Sequence, residues 1–182
     1  MKAKINHVDK LAAFNIFELV TENITLSNGV TTDIHILRHP GASAVIPLTA
    51  TGGVLMLKQY RHAVGRTLWE IPAGTFDAHE TALACAQREL VEETGYRALQ
   101  WHRLGEITPV PAWSDECIHL YLATDLIKAQ QHLEDDELLE VYEMKWDDAL
   151  EKIYRGEIRD AKTICAFMMA GRRTAGPTAS TP

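Results

Sequence analysis

The amino-acid sequence predicts an α/β fold, a mixed β-sheet sandwiched between helices. Three observations carry that prediction. Apolar and β-branched stretches separated by Gly, Asn and Thr turns fill the first 75 residues, one strongly helical segment follows, and strand-like segments then return ahead of two closing helices. At 182 residues and 46% hydrophobic content, the chain suffices for one well-packed domain and is short for two.

Taken in order, Phe14 to Leu37 holds two apolar stretches around Ser27-Asn28-Gly29, a turn signal because Asn and Gly tolerate positive φ, and reads as a hairpin. A second pair follows, ASAVIPL and GGVLMLKQY, and then the short extended segment TLWEIPAG. From Glu80 to Thr94 the chain is rich in Ala, Leu, Gln, Arg and Glu, and Gly95 stands where a left-handed cap belongs, so a helix is predicted there. Its spacing sets Leu83, Ala86, Leu90 and Thr94 on a packing side and Glu89, Glu92 and Glu93 on a side facing solvent or a ligand. WHRLGEITPV, CIHLYLATDL and LLEVYEMKW read as strands, WDDALEKIYRG and RDAKTICAFMMAG as helices. The predicted organisation is an N-terminal hairpin extension over 1–40, a main domain over 41–170 and a disordered tail over 171–182.

A net charge of −7 argues against broad nucleic-acid binding, which needs gathered Lys and Arg, and no run approaches the length of a membrane span. Cys85, Cys117 and Cys165 are odd in number and lack CxxC spacing, which fits a reducing cytoplasm and gives no zinc signal. The eight histidines, His62, His79, His102 and His119 among them, show no ligand spacing.

The acidic helix carries the chemistry. Like charges at neighbouring helical positions repel by about 0.2–0.5 kcal/mol a pair, and Arg88 is the one cation beside Glu89, Glu92 and Glu93. A solvated acidic face is the bland explanation; carboxylates one turn apart beyond a Gly-containing loop also suit a hard divalent cation. The pattern is Gly74, five residues, Glu80, seven residues, Arg88-Glu89-Leu90, one residue, Glu92-Glu93, one residue, Gly95-Tyr96. This resembles a Nudix box with every signature position filled. The resemblance implies the Nudix fold and a Nudix hydrolase, which cleaves a diphosphate linkage with Mg²⁺, or Mn²⁺ in its place. It implies Glu89 and Glu93 as the main metal ligands, Glu92 as a further ligand or water-positioning group, and the Ala73 carbonyl as a backbone ligand. Gly74, Glu80, Arg88 and Gly95 would support the box.

Beyond the box, LKQYRHAVGRTLWEIPAG and Pro111, sixteen residues after Gly95, resemble the ADP-ribose pyrophosphatase branch, which also takes other nucleoside diphosphate sugars. That branch implies a substrate loop over Pro111, Trp113, Asp115 and Glu116, where Ala112 departs from a common Gly. It also implies a mobile acidic loop in LEDDELLEVYEMKW with Glu137 as catalytic base and Glu140 or Asp135 as alternatives. Arg61 suits a phosphate through its planar fork or is a surface strand-end residue. Glu70, among apolar residues, requires a ligand or an internal partner. Trp113 either stacks on a base or packs in the core. The branch further implies a homodimer whose residues 14 to 38 help build the partner's pocket. Two alternatives stand beside ADP-ribose hydrolysis: another sugar nucleotide such as GDP-mannose, and a non-enzymatic ADP-ribose sensor, which would normally carry a basic helical module and often lack box glutamates.

Overall fold

The structure is a computed structural model that describes residues 2–133 and 137–174. It divides into two compact units, one of Met1–Gly41 and Thr108–Cys117, the other of Ala42–Ile107 and Ile118–Pro182.

In the first unit, β1 (Lys4–Ala13), β2 (Glu18–Thr25) and β3 (Thr31–Arg38) form an antiparallel sheet in that order. The predicted hairpin is β2 and β3, closed by a turn in which Gly29 takes a φ of 87°. The additional strand β1 pairs along β2 with register shifts between Ile5 and His7 and between Lys10 and Ala12. The segment Thr108–Cys117 joins β3 through the Leu37 amide, which donates to the Trp113 carbonyl at 2.8 Å. Asp115 accepts from the His39 amide at 2.8 Å and from Arg38 at 3.0 Å, and Arg38 also grips the buried Glu22.

The second unit is built on a four-stranded sheet in the order β7 (Ala73–Thr75), β4 (Ala42–Pro47), β9 (Ile118–Lys128), β8 (Tyr96–Ile107). It is mixed, because β4 and β9 run parallel while their outer neighbours are antiparallel. Both faces of its centre are apolar, as strands covered on two sides require. Val45, Tyr121 and Ala123 pack on Ala86 and Leu90 of α1 (Ala82–Thr94). Ala44, Ile46, Leu120 and Leu122 meet Ala166, Phe167 and Ala170 of α3 (Ala161–Thr174) on the other face. The sandwich between helices is therefore present.

A second sheet, β10 (Leu139–Lys145), β5 (Gly53–Arg61), β6 (Arg66–Glu70), adds Val54, Met56 and Met144 to this core, and α2 (Trp146–Tyr154) adds Ala149. Two expectations change here. The segments ASAVIPL and GGVLMLKQY share only the isolated Leu48 to Val54 bridge; they leave their turn into different sheets, because β4 pairs with β9 and β7 while β5 pairs with β10 and β6. The segment read as a tail from 171 is helical to Thr174, since α3 continues past Phe167 and Ala170, whose burial anchors its last turns. Residues 175–182 of that tail lie outside the described residues.

Candidate active site

Helix α1 begins where Thr81 accepts the Ala84 amide at 3.2 Å and ends at Gly95, in the left-handed region at φ 69°. Packing of Ala86 and Leu90 on the sheet fixes its rotation. That rotation brings Glu89 and Glu93 against β7 rather than toward open space, leaving them 7% and 1% exposed. Leu83 is instead 38% exposed, so the sequence-based division of the helix holds for Ala86, Leu90 and Thr94 and fails for Leu83, while on the other side Glu89 and Glu93 meet β7 rather than solvent. Gly74 makes the approach of Glu89 feasible: a Cβ there would lie 1.7 Å from Glu89 Oε1. Glu93 Oε2 accepts the Ala73 amide at 2.9 Å.

Arg88 hydrogen-bonds three acids and lies 3.5 Å from a fourth, Asp77. Its Nε and NH2 donate to the two Glu80 oxygens, each at 3.0 Å, and its NH1 donates to Glu89 at 2.6 Å and Glu92 at 3.0 Å. NH2 also reaches the Thr75 carbonyl at 3.0 Å, tying the loop to the helix. The Arg88 hydrogen bond holds the Glu80 carboxyl below its usual range, helped by the Asp77 amide at 3.1 Å. For Glu89 burial outweighs Arg88, and its carboxyl is pushed up to about 7. Burial, then the neighbouring Glu89 charge, pushes Glu93 well above the ordinary carboxylate range. The acidic pair is thus only partly compensated by protein groups, the condition under which a bound cation is stabilising. Cys85 donates to the Gly74 carbonyl at 3.3 Å, and burial pushes its thiol up to about 12, consistent with a packing role.

Arg61 and Glu70 meet each other. The guanidinium donates Nε to Oε1 at 2.9 Å and NH2 to Oε2 at 2.7 Å, a bidentate pair, and Lys162 Nζ also bonds Oε2. Burial alone would raise the Glu70 carboxyl, but the Arg61 hydrogen bond and the Lys162 charge outweigh it and bring it down to about 2. Sequence reasoning missed Lys162; the one local signal in RDAKT is the Asp160-to-Thr163 spacing of a helix N-cap, which says nothing of a contact 92 residues away.

Glu137 stands just before β10. The Tyr60 amide donates to the Leu138 carbonyl at 3.2 Å beyond the Leu139 to Gln59 pair, which leaves Glu137 at the Arg61 end of β5. Its charge contributes to the upward push on both Glu89 and Glu93. An open groove of about 370 Å³ runs beside it, lined by Lys58, Tyr60, Thr67 and Leu138 to Glu140. Glu140 is exposed on β10 and accepts from the Tyr142 hydroxyl. Asp135 lies outside the described residues.

Pro111, Trp113, Asp115 and Glu116 belong to the first unit. Trp113 is 52% exposed and so is not core packing. Asp115 is engaged by Arg38 and the His39 amide, and the Glu116 amide donates to the Ser114 hydroxyl at 3.1 Å.

Comparison with known proteins identifies the family. The NUDIX domain profile matches residues 37–167. The ADP-ribose pyrophosphatase of Bacillus subtilis (strain 168) is 36% identical over 161 residues, 87% of this chain and 87% of that protein. The methanol dehydrogenase activator of Bacillus methanolicus is 37% identical over 160 residues, 87% and 86% of the two chains. The GDP-mannose pyrophosphatase of Cronobacter sakazakii (strain ATCC BAA-894) is 32% identical over 176 residues, 86% and 88%. A crystal structure of an ADP compounds hydrolase shares the fold, with a TM-score of 0.84 at 19% identity over 99% of this chain and 98% of that one. The chain belongs to the NUDIX domain family.

Proposed function

We propose that this Nudix hydrolase cleaves the diphosphate bond of ADP-ribose, giving AMP and ribose 5-phosphate. The observation that carries the reading is the pair of buried carboxylates, Glu89 and Glu93, one helical turn apart and pressed against the Ala73-Gly74 backbone, with the Arg88 guanidinium bonded to Glu89. The similarity to an ADP-ribose pyrophosphatase over 87% of each chain supports this substrate.

The donor set fits a hard divalent ion: carboxylate oxygens of Glu89, Glu93 and Glu92, the Ala73 carbonyl, and room made by the absent Gly74 side chain. Mg²⁺, or Mn²⁺ in its place, held by those residues would neutralise the substrate's diphosphate charge and polarise its phosphoryl oxygens. Arg88 keeps Glu89 and Glu92 in place and, through Glu80 and the Thr75 carbonyl, fixes the loop ahead of the helix. Glu137 acts as general base: it takes a proton from water as the water oxygen bonds to one phosphorus and the bridging P–O bond breaks. Its electrostatic influence on Glu89 and Glu93 supports that place over Glu140, whose carboxylate is engaged by Tyr142.

Arg61 offers its guanidinium to a phosphate while Glu70 fixes the plane of the fork. Pro111, Asp115 and Glu116 shape a substrate loop, and the exposed Trp113 stacks on the base. The protein works in the cytoplasm as a homodimer whose residues 14 to 38 contribute to the partner's pocket; a monomer in light scattering at assay concentration would overturn that assembly.

GDP-mannose is the second reading, favoured by the Cronobacter sakazakii relative. The deciding experiment measures AMP and ribose 5-phosphate release from ADP-ribose with Mg²⁺ beside GDP-mannose turnover. Dominant ADP-ribose cleavage supports the proposal, dominant GDP-mannose cleavage moves the specificity, and binding without turnover of either supports a sensor instead.

A further inference from the structure

The turn from Glu70 to Ala73 is fastened at each of its four residues. Glu70 is gripped by Arg61 and Lys162. The Ile71 amide donates to Thr163 Oγ1 at 2.9 Å in a fully buried contact. Pro72 has no amide, and its carbonyl accepts from the Val45 amide at 2.9 Å. The Ala73 amide donates to Glu93.

Lys162 and Thr163 both come from α3, and Thr163, the one that bonds the turn's backbone, is fully buried. A hydroxyl carries one proton, and Thr163 donates it to Asp160 Oδ2 at 2.6 Å, so a lone pair is turned toward the Ile71 amide. Asp160 is itself fixed: Oδ2 accepts the Thr163 amide at 2.9 Å, and Oδ1 accepts Lys162 Nζ at 3.0 Å. Capping the helix needs only the Asp160 oxygen on the Thr163 amide. The hydroxyl bridge into the Ile71 backbone is additional to that need, and it joins the start of α3 to the turn beside the acidic pair.

We propose that Asp160 and Thr163 form a latch that sets the Ala73 carbonyl, two residues beyond Ile71, as a ligand of the divalent cation; this rests on the reading of Ala73, Glu89 and Glu93 as its ligands. Without the hydroxyl the buried Ile71 amide has no acceptor, and the turn relaxes toward one. The Ala73 carbonyl moves with the turn. Thr163 is then a positioning residue, acting on the ion through the backbone, and loss of such an outer partner lowers metal affinity by about 10- to 100-fold.

The test is Mn²⁺ binding to the substrate-free full-length protein, followed by the electron paramagnetic resonance signal of free Mn²⁺, for wild type, Thr163→Val, Thr163→Ser and Glu93→Gln. Thermal unfolding of each is recorded beside it. The latch predicts at least about tenfold weaker binding in Thr163→Val and near wild-type binding in Thr163→Ser. A folded Thr163→Val that binds Mn²⁺ as wild type does, while Glu93→Gln loses it, overturns the latch alone. Binding unaffected by Glu93→Gln overturns the metal site on which the latch rests. Should Thr163→Val fail to fold, Thr163→Ala decides: it removes the same acceptor without setting a methyl group against the Ile71 amide, so unchanged Mn²⁺ affinity in the folded variant overturns the latch and weakened affinity supports it.

Discussion

Replacing Gly74 with Ala tests whether the box glycine serves the carboxylate rather than the backbone. The φ of Gly74 is not positive, and the residue sits in β7 opposite Ser43, so its conformation is open to any residue. By backbone entropy alone the substitution would stabilise the protein by about 0.4–1 kcal/mol. The added Cβ, however, would lie 1.7 Å from Glu89 Oε1 and 2.2 Å from its Cδ, where ordinary contact begins at 3.4 Å. The Glu89 carboxylate must then retreat by about 1.7 Å, away from Ala73 and Glu93. A catalytic group misplaced by about 1 Å costs about 100-fold, and we expect at least that loss in kcat/KM for ADP-ribose, or about 2.7 kcal/mol in the barrier. The assay titrates Mg²⁺ at fixed substrate while circular dichroism follows unfolding. The expected variant is folded, nearly inactive and shifted to higher Mg²⁺ demand. Turnover within about threefold of wild type at unchanged Mg²⁺ dependence would show that Glu89 has somewhere else to go, and the ligand geometry inferred from it would be wrong.

Glu93→Gln keeps an acceptor for the Ala73 amide but removes the charge, so turnover should fall at least about 100-fold with the melting temperature unlowered; retained activity would sink the assignment of Glu93 as a ligand. Glu137→Gln should lower kcat by about 10²–10⁴-fold, the usual contribution of a general base, and near-normal kcat would pass that role to a neighbouring acid. For the metal-free protein, Glu89 binds its proton more tightly folded, near 7, than unfolded, near 4.5. Stability from this group is therefore complete below pH 4.5 and is lost as pH rises through about 7, a fall of about 3 kcal/mol. Urea unfolding across that window measures it, saturating Mg²⁺ should flatten the fall, and a flat metal-free profile would contradict the burial of the Glu89 charge.

What sequence could reach depended on how far each constraint extends along the chain. The box was legible because its chemistry is compressed into one loop and one helix, where Thr81, Gly95 and the Arg88 pairs are all local. The burial of Glu89 and Glu93 was not, since helical periodicity alone assigns acids to the outside. Only the arrival of β7, through its pairing with β4, covers them. Strand β1 was lost for a different reason: its two register shifts break the alternation that betrays a strand, leaving Ile5, Val8 and Leu11 three residues apart. Arg61 and Glu70, nine positions apart, carry separate signals in the sequence and pair with each other in the fold, and Lys162 reaches Glu70 from 92 positions away. The same long-range contacts give the site its rigidity. A carbonyl in a turn can serve as a fixed ligand only if the turn has no other place to settle, and here Glu70, Ile71, Pro72 and Ala73 are held from β5, α3, β4 and α1. A local motif can state which atoms meet a diphosphate; the distant Thr163, Val45 and Lys162 decide how firmly the backbone among them is held.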